Sequence, residues 1–308
     1  MKKLFIVIPL LFAVIFGVAG CVAQNTTTQK APKGAEVTDQ KVDTIPLGNT
    51  LPQAKAADFQ MGDLYTCTVP NEVTEHMDII GIYKNEYYSN KDASANIHIG
   101  HIKNTQHQTL TEFTQQEALF YALDETSWAI GPTYDVCPAI PASQCGYMVK
   151  FYQAQAAPKI SQTVIVQDGE DMVMIDFMYF CQETKVGDTD ITISIPMAAK
   201  STTSGDTTTY TTASRNPIPE IIISSKEGNF VDELKSYREK YNCRIGYDSR
   251  SNRDYGHCVL LDFEENGKHY NERVWLFSDN GKVYTIIFRE PADKLSYALS
   301  AILGMVKL

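Results

Sequence analysis

From residue 64 onward, apolar and polar positions alternate in short runs. Leu64-Tyr65-Thr66-Cys67-Thr68-Val69-Pro70 reads as a strand ended by proline. Further strands are predicted at 79–88 and 95–102. The period then changes. Thr109 and Glu112 have capping-box spacing, and Phe113, Leu119, Phe120 and Leu123 supply one helical face. Runs at 146–153, 160–167 and 172–180, with a turn at Asp168-Gly169, predict a three-stranded meander.

The same order then recurs. Ile191-Thr192-Ile193-Ser194-Ile195-Pro196 is again a strand ending in proline, followed by a Thr-rich stretch over 201–214 and a strand at 220–224. Asn229 caps a helix whose Phe230, Leu234, Tyr237 and Tyr241 form one stripe. A second meander spans 258–263, 270–277 and 283–288. Both of its turns, Asn266-Gly267 and Asn280-Gly281, tolerate the positive φ of tight hairpins. A final helix is predicted over 293–303, with Leu295, Leu299 and Ile302 on one face.

Ahead of this lies a different pattern. Lys2 and Lys3 precede an apolar run over 4–18, long enough for a leader and short for a membrane span, which needs about 20 apolar residues. The run ends in Val18-Ala19-Gly20-Cys21, two small residues before a thiol. This resembles the lipobox of bacterial and archaeal lipoproteins. The resemblance implies cleavage before Cys21, lipid on its sulfur, and an extracytoplasmic protein held at the cell membrane, or at the outer membrane where one exists. The expected organisation is therefore a signal peptide over 1–20, a disordered polar tether over 21–60, a first α+β repeat over 61–187 and a second over 188–308.

The element order also resembles the PsbP/Mog1-like family, on the strand-proline openings at Val69-Pro70 and Ile195-Pro196 and the strand 284–288 before the terminal helix. The resemblance implies an α+β fold, antiparallel sheets with flanking helices, and a non-catalytic binding or assembly role at a membrane. It carries no catalytic motif.

Charge narrows the partners. The chain has 27 basic and 37 acidic side chains, a net charge of −10 that becomes −12 once Lys2 and Lys3 leave with the leader. Nucleic acid is disfavoured as a partner, and attachment to an anionic membrane must come from the lipid on Cys21. Lipidation leaves six of seven cysteines, an even number suited to an oxidising compartment. The repeat suggests pairing Cys137 with Cys145 and Cys243 with Cys258, leaving Cys67 for Cys181. Aligning Phe151 with Phe263 sets Cys145 opposite His257, next to Cys258.

Sites of chemistry are sparse. His98 and His101 face opposite sides of one strand and His107 lies in the following loop, so the three read as core-edge or solvated histidines. His257 and Cys258 are adjacent and diverge likewise. Asp168-Gly169-Glu170-Asp171 and Asp188-Thr189-Asp190 lack calcium-loop spacing. Hydrolase elbows, zinc helices and nucleotide-binding glycine loops do not occur. Two segments, 247–255 with Arg250 and Arg253 and the Thr-rich 201–214, read first as ordinary solvated loops and second as binding surfaces. The expectation is a cofactor-free, non-enzymatic envelope protein binding an unknown partner. The competing reading is an envelope hydrolase or solute-binding lipoprotein, the latter requiring alternating βα units.

Overall fold

The computed structural model describes residues 36–68, 81–121, 127–130, 139–140, 144–152, 158–212, 219–243, 245–248, 255–292 and 305–307. The first sheet contains β1 (Glu36–Val42), β4 (Leu64–Thr68), β5 (Ile82–Ser89), β6 (Ala95–Ile102), β7 (Ser127–Ile130), β8 (Cys145–Tyr152), β9 (Lys159–Asp168) and β10 (Asp171–Lys185). Their order is β1-β4-β5-β6-β10-β9-β8-β7; β11 (Thr192–Pro196) adds to the end of β10, and β19 (Val306–Lys307) to β11. The second sheet runs β12 (Lys200–Ser204), β13 (Thr207–Thr211), β14 (Glu220–Glu227), β18 (Lys282–Pro291), β17 (Lys268–Asp279), β16 (Tyr255–Glu265), β15 (Gly246–Asp248). A small pair, β2 (Thr44–Ile45) and β3 (Ala54–Lys55), completes the set. The two helices are α1 (Leu110–Tyr121) and α2 (Phe230–Tyr241).

One topology is used twice. Three strands, a helix and four strands give β4-β5-β6-β10-β9-β8-β7 in one sheet and β12-β13-β14-β18-β17-β16-β15 in the other. Each sheet turns one face to its counterpart. Ile97, Val164, Ile175 and Phe177 from the first and Ile221, Trp275, Ile286 and Phe288 from the second belong to one buried cluster. The opposite faces carry the helices: Phe113 and Leu110 of α1 over Ile165 and Met174, and the stripe of α2 over Cys258, Leu260 and Val274.

This overturns the α+β, PsbP/Mog1-like expectation. The fold is predominantly β, with two helices against nineteen strands among the described residues. The physical reason is the sheet-on-sheet core. Each sheet buries one face on the other, so a 12-residue helix, about 18 Å long, has only part of one outer face to cover.

The local signals are met closely. Thr109 and Glu112 form a reciprocal capping box at the start of α1, and Asn229 accepts from the amides of Val231 and Asp232. Both Asn-Gly turns carry positive φ at both residues. The Thr-rich stretch is the hairpin of β12 and β13.

The part of the expected 21–60 tether from Glu36 onward is instead folded. From Glu36 the chain pairs with β4, and Ile45, Leu47, Ala54 and Phe59 are buried in the shared core. These anchors are spaced irregularly, so they carry neither the strand nor the helix period. Residues 21–35 and the helix expected over 293–303 lie outside the described residues. Sheet membership changes after Pro196, since β11 belongs with the first sheet.

Candidate functional site

His98 lies on the helix-bearing face of β6, between Ile97 and Ile99, which point into the shared core. Register sets it beside Asp176 on β10 and Tyr87 on β5. Its Nδ1 is 3.1 Å from Asp176 Oδ2, and its Nε2 is 2.7 Å from Asn85 Oδ1. The other Asp176 oxygen accepts from the Thr163 hydroxyl on β9. Tyr87 stacks on the imidazole at 4.7 Å, and burial pushes its phenol up to about 12. His98 and Thr163 are 0% exposed and Asp176 7%. The row resembles a catalytic relay in composition, but both ring nitrogens face acceptors inside the protein. It ties four neighbouring strands, β5, β6, β10 and β9, together.

His101 points to the opposite face, as its spacing predicts, with Nε2 3.1 Å from Glu86. His107 lies at φ 52° in the loop before α1 and is exposed. The three histidines do not converge. Near His101 the carboxylate of Asp168 accepts from the backbone amides of Asn49 and Thr50, at 2.8 and 2.7 Å, and from the Thr50 hydroxyl. Burial raises this carboxyl, but the hydrogen bonds from Thr50 and Asn49 outweigh it and hold Asp168 below its usual range, with His101 adding to them. Asp168 is thus a clasp for the N-terminal segment as well as a turn residue. A cavity of about 280 Å³ lies nearby, lined by Leu51, Leu110, Ile140, Gln144, Val166 and Gln167.

Sulfur placement separates the cysteine pairs. Cys67 sits one residue beyond the last β4–β5 pair, in line with Tyr87, His98 and Asp176. Cys181 is three strands across and five residues further along β10. At about 4.8 Å per strand and 3.3 Å per residue, roughly 20 Å separates them, far beyond the 7 Å a disulfide spans. The expected bridge between Cys67 and Cys181 is therefore corrected: burial pushes these thiols up to about 11 and about 12. Cys243, just past α2, does meet Cys258 of β16. The two side chains pack in one cluster, and burial, then Cys243, pushes Cys258 up to about 12.

The register also corrects the alignment behind the symmetry argument. Counted from the turns between β9 and β10 and between β17 and β18, Cys145 corresponds to Tyr255 rather than to His257. Cys145 packs on the shared core, whereas Cys258 lies under α2. Cys21, Cys137 and residues 249–254, with Arg250 and Arg253, lie outside the described residues. Asp188-Thr189-Asp190 is a turn closed by the Thr189 hydroxyl, which donates to Val186 O at 2.7 Å.

Sequence reasoning missed Asp176, Thr163 and Asn85. The one available signal was a lone carboxylate inside the apolar run Met172-Val173-Met174-Ile175-Asp176-Phe177.

No protein-family model matches the chain, and no curated protein does. One solved structure with partial similarity is a crystal structure from Bacteroides thetaiotaomicron, 14% identical, with a TM-score of 0.27. The match covers 38% of this chain and 44% of that one, and at this distance it informs neither fold nor function.

Proposed function

We propose that the protein is a lipid-anchored, extracytoplasmic binding or assembly module of the cell envelope, attached through Cys21 and acting without catalysis. One observation carries the reading: the apolar run over 4–18 that ends in Val18-Ala19-Gly20-Cys21, ahead of a mature chain with net charge −12. The chemistry of the interior supports the non-catalytic part. A general base must reach the proton it removes, and His98 is fully buried with both nitrogens engaged. Burial pushes the Cys67 and Cys181 thiols up to about 11 and about 12, which disfavours the nucleophilic thiolate. Changing Cys21→Ser should abolish lipid labelling and release the protein from membranes. Retention of the unlabelled variant in washed membranes would overturn the anchor.

The shared strand order of the two sheets supports an internal duplication. Cys243 and Cys258, in contact, are the pair set to form a disulfide in an oxidising compartment. The two thiols would lose two protons and two electrons to an oxidising disulfide of an exchange partner, which leaves as a dithiol. Non-reducing peptide mapping of the exported protein should recover this linked pair. Alkylation of either cysteine without prior reduction would remove it.

A further inference from the structure

Arg273 occupies the middle of β17 on the face turned toward the first sheet: its neighbour Val274 packs under α2, and Trp275 lies in the shared core. It is 8% exposed. Its Nη1 donates to His257 Nε2 at 3.2 Å. Burial, then Arg273, pushes His257 down to about 4, so the ring is the neutral acceptor this bond needs. The guanidinium Nε has no hydrogen-bond partner. Among the described residues, no carboxylate pairs with this guanidinium. A buried cation left in that state is destabilising unless something neutralises it.

The groups left without a partner have a particular geometry, with Nε itself buried from solvent. Nε and Nη2 lie on one edge of the planar guanidinium, spaced for the two oxygens of a carboxylate, while the engaged Nη1 lies on the other side. A carboxylate balances a single positive charge, whereas a phosphate dianion calls for more. The flank is apolar: Val259, directly paired with Arg273, and Leu261 are 40% and 67% exposed. Described pairing of β15 with β16 stops at His257, so from Cys258 onward β16 is paired on one side only among the described residues. The position equivalent to Arg273 in the first sheet is Gln162. It is 3% exposed, and neither its Oε1 nor its Nε2 has a partner. Both sheets therefore turn an unsatisfied polar group inward at the same place.

We infer that Arg273 anchors a carboxylate-binding site beside β16, on the side of that strand unpaired among the described residues, the ligand taking Nη2 and displacing the cover over the buried Nε, with an adjoining apolar group on Val259 and Leu261. The inference deepens the binding-module reading and rests on it. The lipid anchor is tested separately, so failure of the anchor and failure of this site are distinguishable.

The test is an NMR titration of the full mature chain, reading the Arg273 Nε–H resonance. The probes are isovalerate and a blocked Val-Asp-Val peptide, with Val-Asn-Val as its neutral control. The expected result is a saturable shift with a carboxylate probe, none with the Asn peptide, and loss of binding in Arg273→Gln. Arg273→Lys, which keeps the charge and lacks the edge, should weaken binding about tenfold or more. Binding of isovalerate identifies a free carboxylate as sufficient; binding of the Asp peptide alone identifies a peptide side chain. An Nε–H resonance that moves with neither probe, or a binding curve unchanged in Arg273→Lys, would overturn the site.

Discussion

Thr163, Asp176 and His98 cross the outer face of the first sheet in one row. Val274, Ile287 and Ile222 hold the same positions in the second. The strand order is shared, and the chemistry is not. In the first sheet the row is polar, buried and closed on itself. In the second it is apolar, with the buried Glu272 of the same face paired to Arg289, while on the other face Arg273 is buried with its Nε unpartnered. Two copies of one topology thus treat buried polarity differently. A satisfied network serves cohesion, and an unsatisfied charge marks a place for a partner.

The largest effect should come from opening the closed row. Asp176→Ala leaves His98 and Thr163 buried without their acceptor and should cost about 3–5 kcal/mol in urea unfolding. Converting the whole row to its counterpart, with His98→Ile, Asp176→Ile and Thr163→Val together, should cost much less than the sum of the single changes. Additive losses would mean that the row is not a unit.

A smaller effect is expected at Asp168, the clasp that has no counterpart role in the second sheet. Asp168→Asn should cost about 2 kcal/mol at neutral pH through weaker hydrogen bonds to Asn49 and Thr50. The native carboxyl is held below its unfolded value. Its contribution is therefore full above about pH 4 and is lost as pH falls through the lowered native value. The urea midpoint of Asp168→Asn should fall less between pH 5 and pH 2 than that of the parent, and equal slopes would remove the clasp.

Much of this architecture was legible in the residues, because its signals are local. The capping box at Thr109, the Asn229 cap, both Asn-Gly turns and the α2 stripe each act within a few positions. What was not legible depends on distant pairing. Nothing in the sequence near Ile45 or Leu47 shows that those residues enter a core that reaches as far as Phe288 and Met305. The pairing of Cys67 with Cys181 failed because four strands had to be ordered before their separation could be known. For the same reason, nothing in the sequence singles out Arg273. Its isolation is visible only once both sheets are in place.

Arg273→Leu should have the smallest effect and the opposite sign. Removing a buried charge with no carboxylate partner among the described residues should leave the ligand-free protein as stable, or more stable by about 1 kcal/mol. The most direct test of the contrast is therefore a single urea series at neutral pH comparing the parent, Asp176→Ala and Arg273→Leu. The account predicts a midpoint well below the parent for Asp176→Ala and at or above it for Arg273→Leu. Large losses in both would contradict it, because Arg273 would then be a settled part of the fold rather than an open site.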